Sequence, residues 1–373
     1  MSITPHDERF MAAAIRLSRW HLGRSATNPS VGCLIVRDGV IVGRAVTALS
    51  GRPHAETQAL AEAGALARGA TAYVTLEPCS HHGRTPPCSE ALIAYGVARV
   101  VISVTDPDPR VSGRGIAMLR EAGIEVDAGV LEAEGWHSLA AYLTRQTKNR
   151  PYVTLKLAVS ADGMIGREGA GQVAITGPEA RAQVQALRAE TDAILVGIGT
   201  AIADDPLLTV RSPGLESQSP IRIVLDPSLA LPLTSKLVET ARQVPVIVVG
   251  SEETSLLEAE GGASPADMDS RRTALEAAGV EVLYCNPYHP EVLLPALATR
   301  GISSLLVEGG AKTARLFLEA GLVDRIQLYQ APVVIGEGGI ESPLDATDIP
   351  SGFAHTGTLM FGGDRLDEYE RGL

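Results

Sequence analysis

The chain alternates between two hydrophobic periods for almost its whole length. Positions 6–20 put Phe10, Ala13, Ala14 and Leu17 on one helical face, with Arg9, Arg16 and Arg19 elsewhere. Short apolar runs follow at 31–36 and 40–45, joined by Asp38-Gly39, a pairing that favours a hairpin. From residue 54 the period returns to that of a helix, reaching about residue 67. Strand patterns at 71–76, 99–104 and 124–129 then alternate with helix patterns starting near Cys88 and covering 112–122. This alternation predicts an α/β domain with a largely parallel sheet. Helical residues 131–148 end in Lys148-Asn149-Arg150-Pro151, where a basic helix end followed by proline marks a stop. The domain boundary falls there, giving units 1–148 and 149–373.

The second part repeats the alternation. Strands are expected at 152–160, 193–197, 221–225, 244–249, 280–284 and 304–308, with helices at 178–190 and 311–320. Two glycine turns stand out, Gly197-Ile198-Gly199-Thr200 and Gly309-Gly310. Glycine between a strand and a helix lets backbone amides approach a phosphate at the positive helix terminus, although such glycines are often purely steric. The Gly-x-Gly-x-x-Gly pattern of a dinucleotide-binding Rossmann unit is not among them.

Composition narrows the class. A chain of 373 residues with 45% hydrophobic content supports two domains, and no apolar run is long enough to cross a membrane. The polar start leads straight into a helix pattern, so no signal peptide is expected. A net charge of −12 argues against a large nucleic-acid surface. It leaves room for a small anionic substrate held by a few arginines. The four cysteines suggest no disulfide framework, which fits the cytoplasm.

The chemistry concentrates between His54 and Cys88. His54-Ala55-Glu56, Glu77-Pro78-Cys79 and Pro86-Pro87-Cys88 supply one imidazole and two thiolates, three ligands suited to zinc with a fourth position left for water. Glu56 is placed to take a proton from water made acidic by the metal and to deliver it to a ring nitrogen and a leaving amine. This His-x-Glu…Pro-Cys pattern is the signature of zinc deaminases of nucleobases. A structural zinc site would instead recruit Cys33, His81 or His82, and free cysteines are often just buried small hydrophobes. The insertion between the cysteines, residues 80–87, carries His81, His82 and Arg84. It reads as a solvated loop or, given its position, a substrate lid. Asn28 reads equally as a turn residue or as a group facing the site.

Taken together, Asn28-Pro29-Ser30-Val31-Gly32, Pro53-His54-Ala55-Glu56, the run from Thr75 to Cys88, and the run from Ala203 to Arg211 resemble the bifunctional deaminase/reductase family of riboflavin biosynthesis over nearly the whole chain. The resemblance implies a three-layer, cytidine-deaminase-like α/β domain followed by a dihydrofolate-reductase-like domain. It implies zinc on His54, Cys79 and Cys88 with Glu56 as proton shuttle, and substrate contacts from Asn28, His81, Arg84 and Asp106. In the second domain it implies substrate contacts from Gln172, Arg188, Leu208, Arg211 and Glu308. NADPH contacts are implied at Ala158, Ala174, Thr200, Asp204, Gly310, Ala311, Lys312, Thr313 and Ala314. The implied substrate is a phosphorylated pyrimidine, the cofactors are Zn²⁺ and NADPH, and the enzyme is a cytoplasmic homo-oligomer, a dimer or tetramer. Four places depart from the family pattern: Thr47 for a common histidine, Asp108 for asparagine, Gln172-Val173-Ala174 for a Ser-Gln-Trp-like stretch, and Pro227 for a hydroxyl residue. The competing readings are a deaminase of another pyrimidine or of a tRNA base fused to an unrelated reductase, and a non-catalytic zinc-stabilised binding protein.

Overall fold

The computed structural model describes residues 3–83, 86–108, 111–251 and 264–372. It divides into two compact units, Met1–Arg150 and Pro151–Leu373.

In the first unit, strands β1 (Gly32–Arg37), β2 (Val40–Val46), β3 (Thr71–Leu76), β4 (Arg99–Val104) and β5 (Glu125–Ala128) form one sheet in the order β2-β1-β3-β4-β5. β1 runs antiparallel to β2 and β3, whereas β3, β4 and β5 are parallel. Side chains alternate across a pleated sheet, so each strand feeds two cores. Cys33, Ile35, Val74 and Ile102 face helices α2 (Ala55–Ala63) and α3 (Cys88–Tyr95), while Leu34, Val36, Tyr73 and Val101 face α1 (Pro5–Ser18). The result is a helix–sheet–helix sandwich. α2 can lie close to β2 because residue 43 is glycine; a Cβ there would sit 2.2 Å from the Ala59 carbonyl oxygen.

The buried stripe of α1 differs from the sequence expectation by part of a turn. Met11, Ala14, Ile15 and Ser18 are buried, and Phe10, Ala13 and Leu17 flank them. The cause is Asp7, itself buried at the first turn. It completes a capping box with Thr4, accepts a hydrogen bond from Tyr73 Oη at 2.8 Å and pairs with Arg99 at 2.7 Å. A polar anchor at the helix start sets the rotation that hydrophobicity alone leaves open.

The second unit holds a nine-stranded sheet. Its strands are β6 (Tyr152–Val159), β8 (Ala193–Gly197), β9 (Ile221–Leu225), β10 (Val246–Gly250), β11 (Glu281–Tyr284), β12 (Ser304–Glu308), β13 (Arg325–Gln330), β15 (Phe353–Phe361) and β16 (Asp364–Arg371). The order is β11-β10-β9-β8-β12-β6-β13-β16-β15, parallel as far as β13 and antiparallel through the terminal hairpin. β7 (Met164–Arg167) and β14 (Gly339–Glu341) form a separate two-stranded ribbon. Core side chains again split by parity, Leu195, Ile223 and Val249 on one face and Ile194, Val224 and Val248 on the other.

The hydrophobic pattern places no strand at β7, β13, β14, β15 or β16, nor a helix at Pro265–Ala278 or Pro290–Thr299. β15 shows why. Ala354, His355, Thr356, Thr358, Leu359 and Met360 are all exposed, so it has no buried face to impose a period of two. A second difference concerns Gly197-Ile198-Gly199, expected as an open glycine turn. Gly197 instead precedes a short helix, α8 (Ile198–Asp204), and Gly199 lies inside it with open space where a Cβ would stand.

Candidate active sites

The first site forms where β3 ends. Pro78 terminates the strand and the chain turns at Cys79. His54 sits immediately before α2 and Cys88 opens α3, so three short-range events deliver three ligands to one point. His54 Nδ1 lies 3.3 Å from Cys88 Sγ and 3.7 Å from Cys79 Sγ, and the three ligand atoms all fall within 4.8 Å of one another. Ligands about 2.0–2.3 Å from a tetrahedral ion stand roughly 3.5 Å apart, so the donor set fits zinc. Cys33, the possible structural fourth ligand, is fully buried in the core of β1 and outside this cluster. His82 turns to Glu90 at 3.5 Å.

The surroundings fix the ligands. The Cys88 amide donates to Cys79 Sγ at 3.2 Å, and Ser89 Oγ donates to the Cys79 carbonyl at 3.0 Å. Hydrogen bonding from Cys88 holds the Cys79 thiol well below its ordinary range. Glu56, one helical residue beyond His54, is 4% exposed, and burial pushes its carboxyl up, towards the protonated state a proton carrier must visit.

Glu77 does work that its motif does not reveal. Its carboxylate accepts hydrogen bonds from the amides of Gly113, Gly115 and Ile116 at 3.0, 3.0 and 3.3 Å, capping the start of α4 (Arg114–Glu121). Gly115 is required there, since a Cβ would meet the Pro78 carbonyl oxygen at 2.1 Å. Glu77 therefore locks the turn that presents Cys79.

A cavity of about 280 Å³ opens onto Glu56, His54 and Cys79 and is lined also by Asn28, His81, Asp106 and Asp108. Three of the sequence-predicted substrate residues thus meet at the metal site. Arg84 lies outside the described residues. Asp106 is buried, accepts from Tyr142 Oη at 3.1 Å and from the Asp108 amide at 2.9 Å, and burial raises its pKa. Thr47 also lines the cavity and accepts from the Val31 amide at 2.9 Å. Tyr142, on α6 (Ala140–Lys148), is a site residue with no sequence signal beyond an aromatic in an amphipathic helix.

The second site gathers at the carboxyl ends of β6 and β12. Glu308 closes β12 and pairs in register with Lys156 of β6. Arg188, late on α7 (Pro178–Ala189), donates Nε to Glu308 Oε1 at 2.9 Å and Nη2 to Oε2 at 2.8 Å, a two-pronged ion pair. The Arg188 side chain is only 11% exposed. Burial opposes ionisation of Glu308, but Arg188, Lys156 and Arg211 together hold its carboxyl below the ordinary value. Lys156 Nζ lies 5.6 Å from the Tyr329 ring centroid, and burial pushes its ammonium down while Glu308 opposes the shift.

Two sequence expectations gain a structural setting here. Of the two arginines read as phosphate-holding, Arg188 pairs with Glu308, since a buried carboxylate needs an adjacent cation. Arg211 remains exposed, its amide bonded to Gln185 Oε1 at 2.7 Å. Leu208, a substrate contact by family resemblance, has its side chain buried with Ile194, Val196 and Ala201 in one core cluster. Its φ of +54° lies in the left-handed region, so the backbone rather than the side chain is what the turn offers.

The turn after β12 and the start of α8 come together. Gly309 and Gly310 both have φ of +74°, and a Cβ on Gly310 would meet Thr200 Oγ1 at 2.9 Å. Thr313 in turn abuts Gly197. Thr200, Gly310 and Thr313 thus flank a glycine cradle at the N-terminus of the helix Ala311–Glu319, in whose first turn Lys312 is exposed and Ala314 is buried in the core. These donors and the free space beside them suit a dinucleotide phosphate. Asp204 ends α8, its carboxyl raised by burial. Ala158 is half-buried on β6, while Gln172 and Ala174 are exposed on a loop whose Gly171 approaches the Ala203 carbonyl.

Comparison with known proteins agrees with this two-site picture. Residues 4–104 match the model of the cytidine and deoxycytidylate deaminase zinc-binding region, and residues 151–361 match that of the RibD C-terminal domain. The riboflavin biosynthesis protein RibD of Aquifex aeolicus is 42% identical over 332 residues, covering 89% of this chain and 88% of its own. That of Escherichia coli is 42% identical over 345 residues, covering 88% and 89%. The chain belongs to the RibD family. Among solved structures, RibD of Acinetobacter baumannii superposes with a TM-score of 0.84 at 35% identity, over 99% of both chains. A diaminohydroxyphosphoribosylaminopyrimidine deaminase/5-amino-6-(5-phosphoribosylamino)uracil reductase from Thermotoga maritima gives 0.84 at 34% identity, over 98% of this chain and 99% of its own. The RibD fold thus accounts for both units, the deaminase-like sandwich and the reductase-like nine-stranded sheet.

Sequence reasoning missed Lys156 in this RibD chain. Its signal is a single charge within the mostly apolar strand Tyr152–Val159, where it lies half-buried in register with Glu308.

Proposed function

We propose that the two units catalyse successive steps of riboflavin biosynthesis on one phosphorylated pyrimidine. The first hydrolytically deaminates 2,5-diamino-6-(5-phosphoribosylamino)pyrimidin-4(3H)-one, and the second reduces its ribosyl group to ribityl with NADPH. The observation that carries this reading is the convergence of His54, Cys79 and Cys88 beside buried Glu56, in a chain similar to RibD proteins over about nine-tenths of its length.

His54, Cys79 and Cys88 would hold a zinc ion, which would supply the Lewis acidity that makes water nucleophilic at neutral pH. Glu56 takes the proton released as water adds to the amine-bearing ring carbon. It passes that proton to the ring nitrogen and then to the amine, which leaves as ammonia. Asn28, His81 and Asp106 seat the ring in the cavity, with Arg84 assigned beside them by family resemblance. Tyr142 keeps the Asp106 carboxylate turned inward.

When bound in the reductase unit, NADPH would supply a hydride for the sugar C1, with opening of the sugar at its bond to the ring oxygen. Thr200, Asp204, Gly310, Ala311, Lys312, Thr313 and Ala314 would hold the cofactor, together with Ala158 and Ala174. The ring oxygen needs a proton, and we assign Lys156 as its donor. Burial has weakened its hold on that proton, and Glu308 keeps the ammonium in place. Arg211 meets the phosphate, and the Arg188–Glu308 pair with the Leu208 and Gln172 backbone shapes the sugar subsite. We further place the enzyme in the cytoplasm as a homo-oligomer. All four cysteines are free, and exposed Leu359 and Met360 on the edge strand β15 offer apolar surface to a second copy. Among the described residues, no helix is long and apolar enough to cross a membrane.

The test is direct. Purified enzyme given the diamino substrate should release ammonia without NADPH and oxidise NADPH only after deamination. Absence of ammonia release from zinc-loaded protein would refute the reading.

A further inference from the structure

Strand β9 hides a cation that no step proposed above uses. Arg222 is fully buried, with Ile194 and Val246 beside it in register on an apolar face of the sheet. Its Nη1 donates to the Leu207 carbonyl at 3.2 Å and to Thr240 Oγ1 at 2.7 Å. Its Nη2 donates to the Thr240 carbonyl at 3.1 Å and to the Val244 carbonyl. Among the described residues its charge is met by these oxygens and by no carboxylate. Burial pulls the guanidinium down to about 10, so it is still charged at neutral pH. A buried charge without a counter-ion is costly, and an apolar side chain would fill the layer with less penalty. What arginine adds is a planar fork that reaches acceptors on separate segments at once.

One of those segments is the loop 205–211, which carries Leu208 and Arg211. Two of its non-glycine residues are left-handed, Asp205 with φ of +39° and Leu208 with φ of +54°. Such backbone persists only where the surroundings over-determine it. Here three cations take alternate carbonyls of the loop. Lys236 Nζ donates to that of Asp205 at 3.0 Å, Arg222 to that of Leu207, and Arg188 Nη1 to that of Thr209 at 3.3 Å. Lys236 is exposed and Arg188 is shared with Glu308, so of the three Arg222 alone is fully buried and turned wholly to backbone and hydroxyl. The Leu208 side chain packs on the same face of the sheet, giving an apolar anchor directly beside the polar one. We infer that Arg222 is a positioning residue of the reductase, pinning the Leu207 carbonyl to the sheet and so aiming Arg211 at the substrate phosphate. The inference rests on the phosphate role given to Arg211 above.

The experiment measures NADPH oxidation by full-length enzyme with the deaminated substrate, phosphorylated and dephosphorylated. Arg222→Met, which fills the space without the fork, should raise KM for the phosphorylated substrate about tenfold, with kcat within about threefold of wild type. KM for the dephosphorylated compound should move by about threefold at most. In an Arg211→Ala background the same substitution should add about threefold or less, because residues that act through one contact are not additive. Arg222→Lys, which keeps the charge without the fork, should fall between wild type and Arg222→Met. Thr240→Val removes the hydroxyl that orients Nη1 and leaves the guanidinium in place. It should raise KM by about two- to fivefold, and it carries the test should Arg222→Met fail to fold. Ammonia release should be unchanged throughout, since the deaminase unit is untouched. A lower unfolding midpoint with unchanged KM in Arg222→Met and Thr240→Val would mark a purely structural residue and overturn the inference. A further rise of about tenfold in the Arg211→Ala background would overturn it too, because Arg222 would then act elsewhere. Unchanged KM in Arg211→Ala itself would sink the phosphate role of Arg211, and the inference with it.

Discussion

The two sites are built on opposite plans. In the deaminase unit, ligands and proton carrier come from 35 consecutive residues, His54 to Cys88, and each sits at an element boundary. In the reductase unit, Lys156, Arg188, Arg211 and Glu308 come from two strands, a helix and a loop spread over most of the domain. A metal demands particular atom types within bonding distance of one point, and short-range chain turns deliver that most economically. A hydride-transfer site demands alignment of two large molecules, which distant strand ends of a rigid sheet supply. The first plan leaves a motif in the sequence. The second leaves isolated charges whose partners only the fold reveals.

The contrast can be pressed by substitution. The largest effect is expected from the metal ligands. Cys79→Ser and Cys88→Ser should each lower bound zinc from about one per chain to near zero and abolish ammonia release, while NADPH oxidation with the deaminated substrate persists. Retention of zinc in both variants would contradict the ligand set.

Next comes Lys156→Met, which keeps the unbranched, apolar stem of the side chain without its ammonium. Reduction should slow by about 10²–10⁴-fold, and deamination should be unchanged. The pH profile gives a second check. Lys156 must be protonated to donate, and burial lowers its pKa, so reduction should be full at low pH and decline as pH rises through that lowered value. A rate that is flat with pH, or a Lys156→Met variant of undiminished kcat, would transfer the role to solvent.

Arg188→Ala probes the dispersed plan differently. It leaves Glu308 buried without its paired cation, so the second unit should lose about 3–5 kcal/mol of stability, seen as an earlier unfolding transition in denaturant. The paired effect works with pH as well. The folded carboxyl of Glu308 is depressed, so its stabilising contribution is present above the unfolded carboxylate pKa and is lost as pH falls through the folded one. Arg211→Ala should be milder, raising KM for the phosphorylated substrate by the equivalent of about 1.5–3 kcal/mol with stability intact. If Arg188→Ala and Arg211→Ala behaved alike, the distinction between a structural ion pair and a substrate contact would fail.

Legibility in the sequence follows the same division. His54, Glu56, Cys79 and Cys88 were readable because ligand chemistry restricts residue type and spacing together. Fully buried apolar strands bounded by turn residues, such as β3, β4, β8 and β9, were readable to the residue. β15 was not, because it is exposed on both faces, and β7 and β14 are too short to show a period. Arg188 and Glu308 were each named, but their mutual ion pair is a tertiary fact, the partners standing 120 positions apart. Glu77 looked like part of a zinc motif, whereas its observed role is to cap α4. Leu208 was placed correctly in its loop, yet its left-handed backbone turned the side chain into the core.

The separation of the two chemistries within one chain is tested most directly by Glu56→Gln. The substitution preserves side-chain size and leaves all three zinc ligands in place, but removes the carboxylate that must accept and return a proton. Ammonia release from the diamino substrate and NADPH oxidation with the deaminated substrate are measured on the same zinc-loaded preparation. The expected result is a fall of about 10²–10⁴-fold in ammonia release with NADPH oxidation near the wild-type rate. Wild-type ammonia release would remove Glu56 from the chemistry, and joint loss of both activities in folded, zinc-loaded protein would contradict two independent sites.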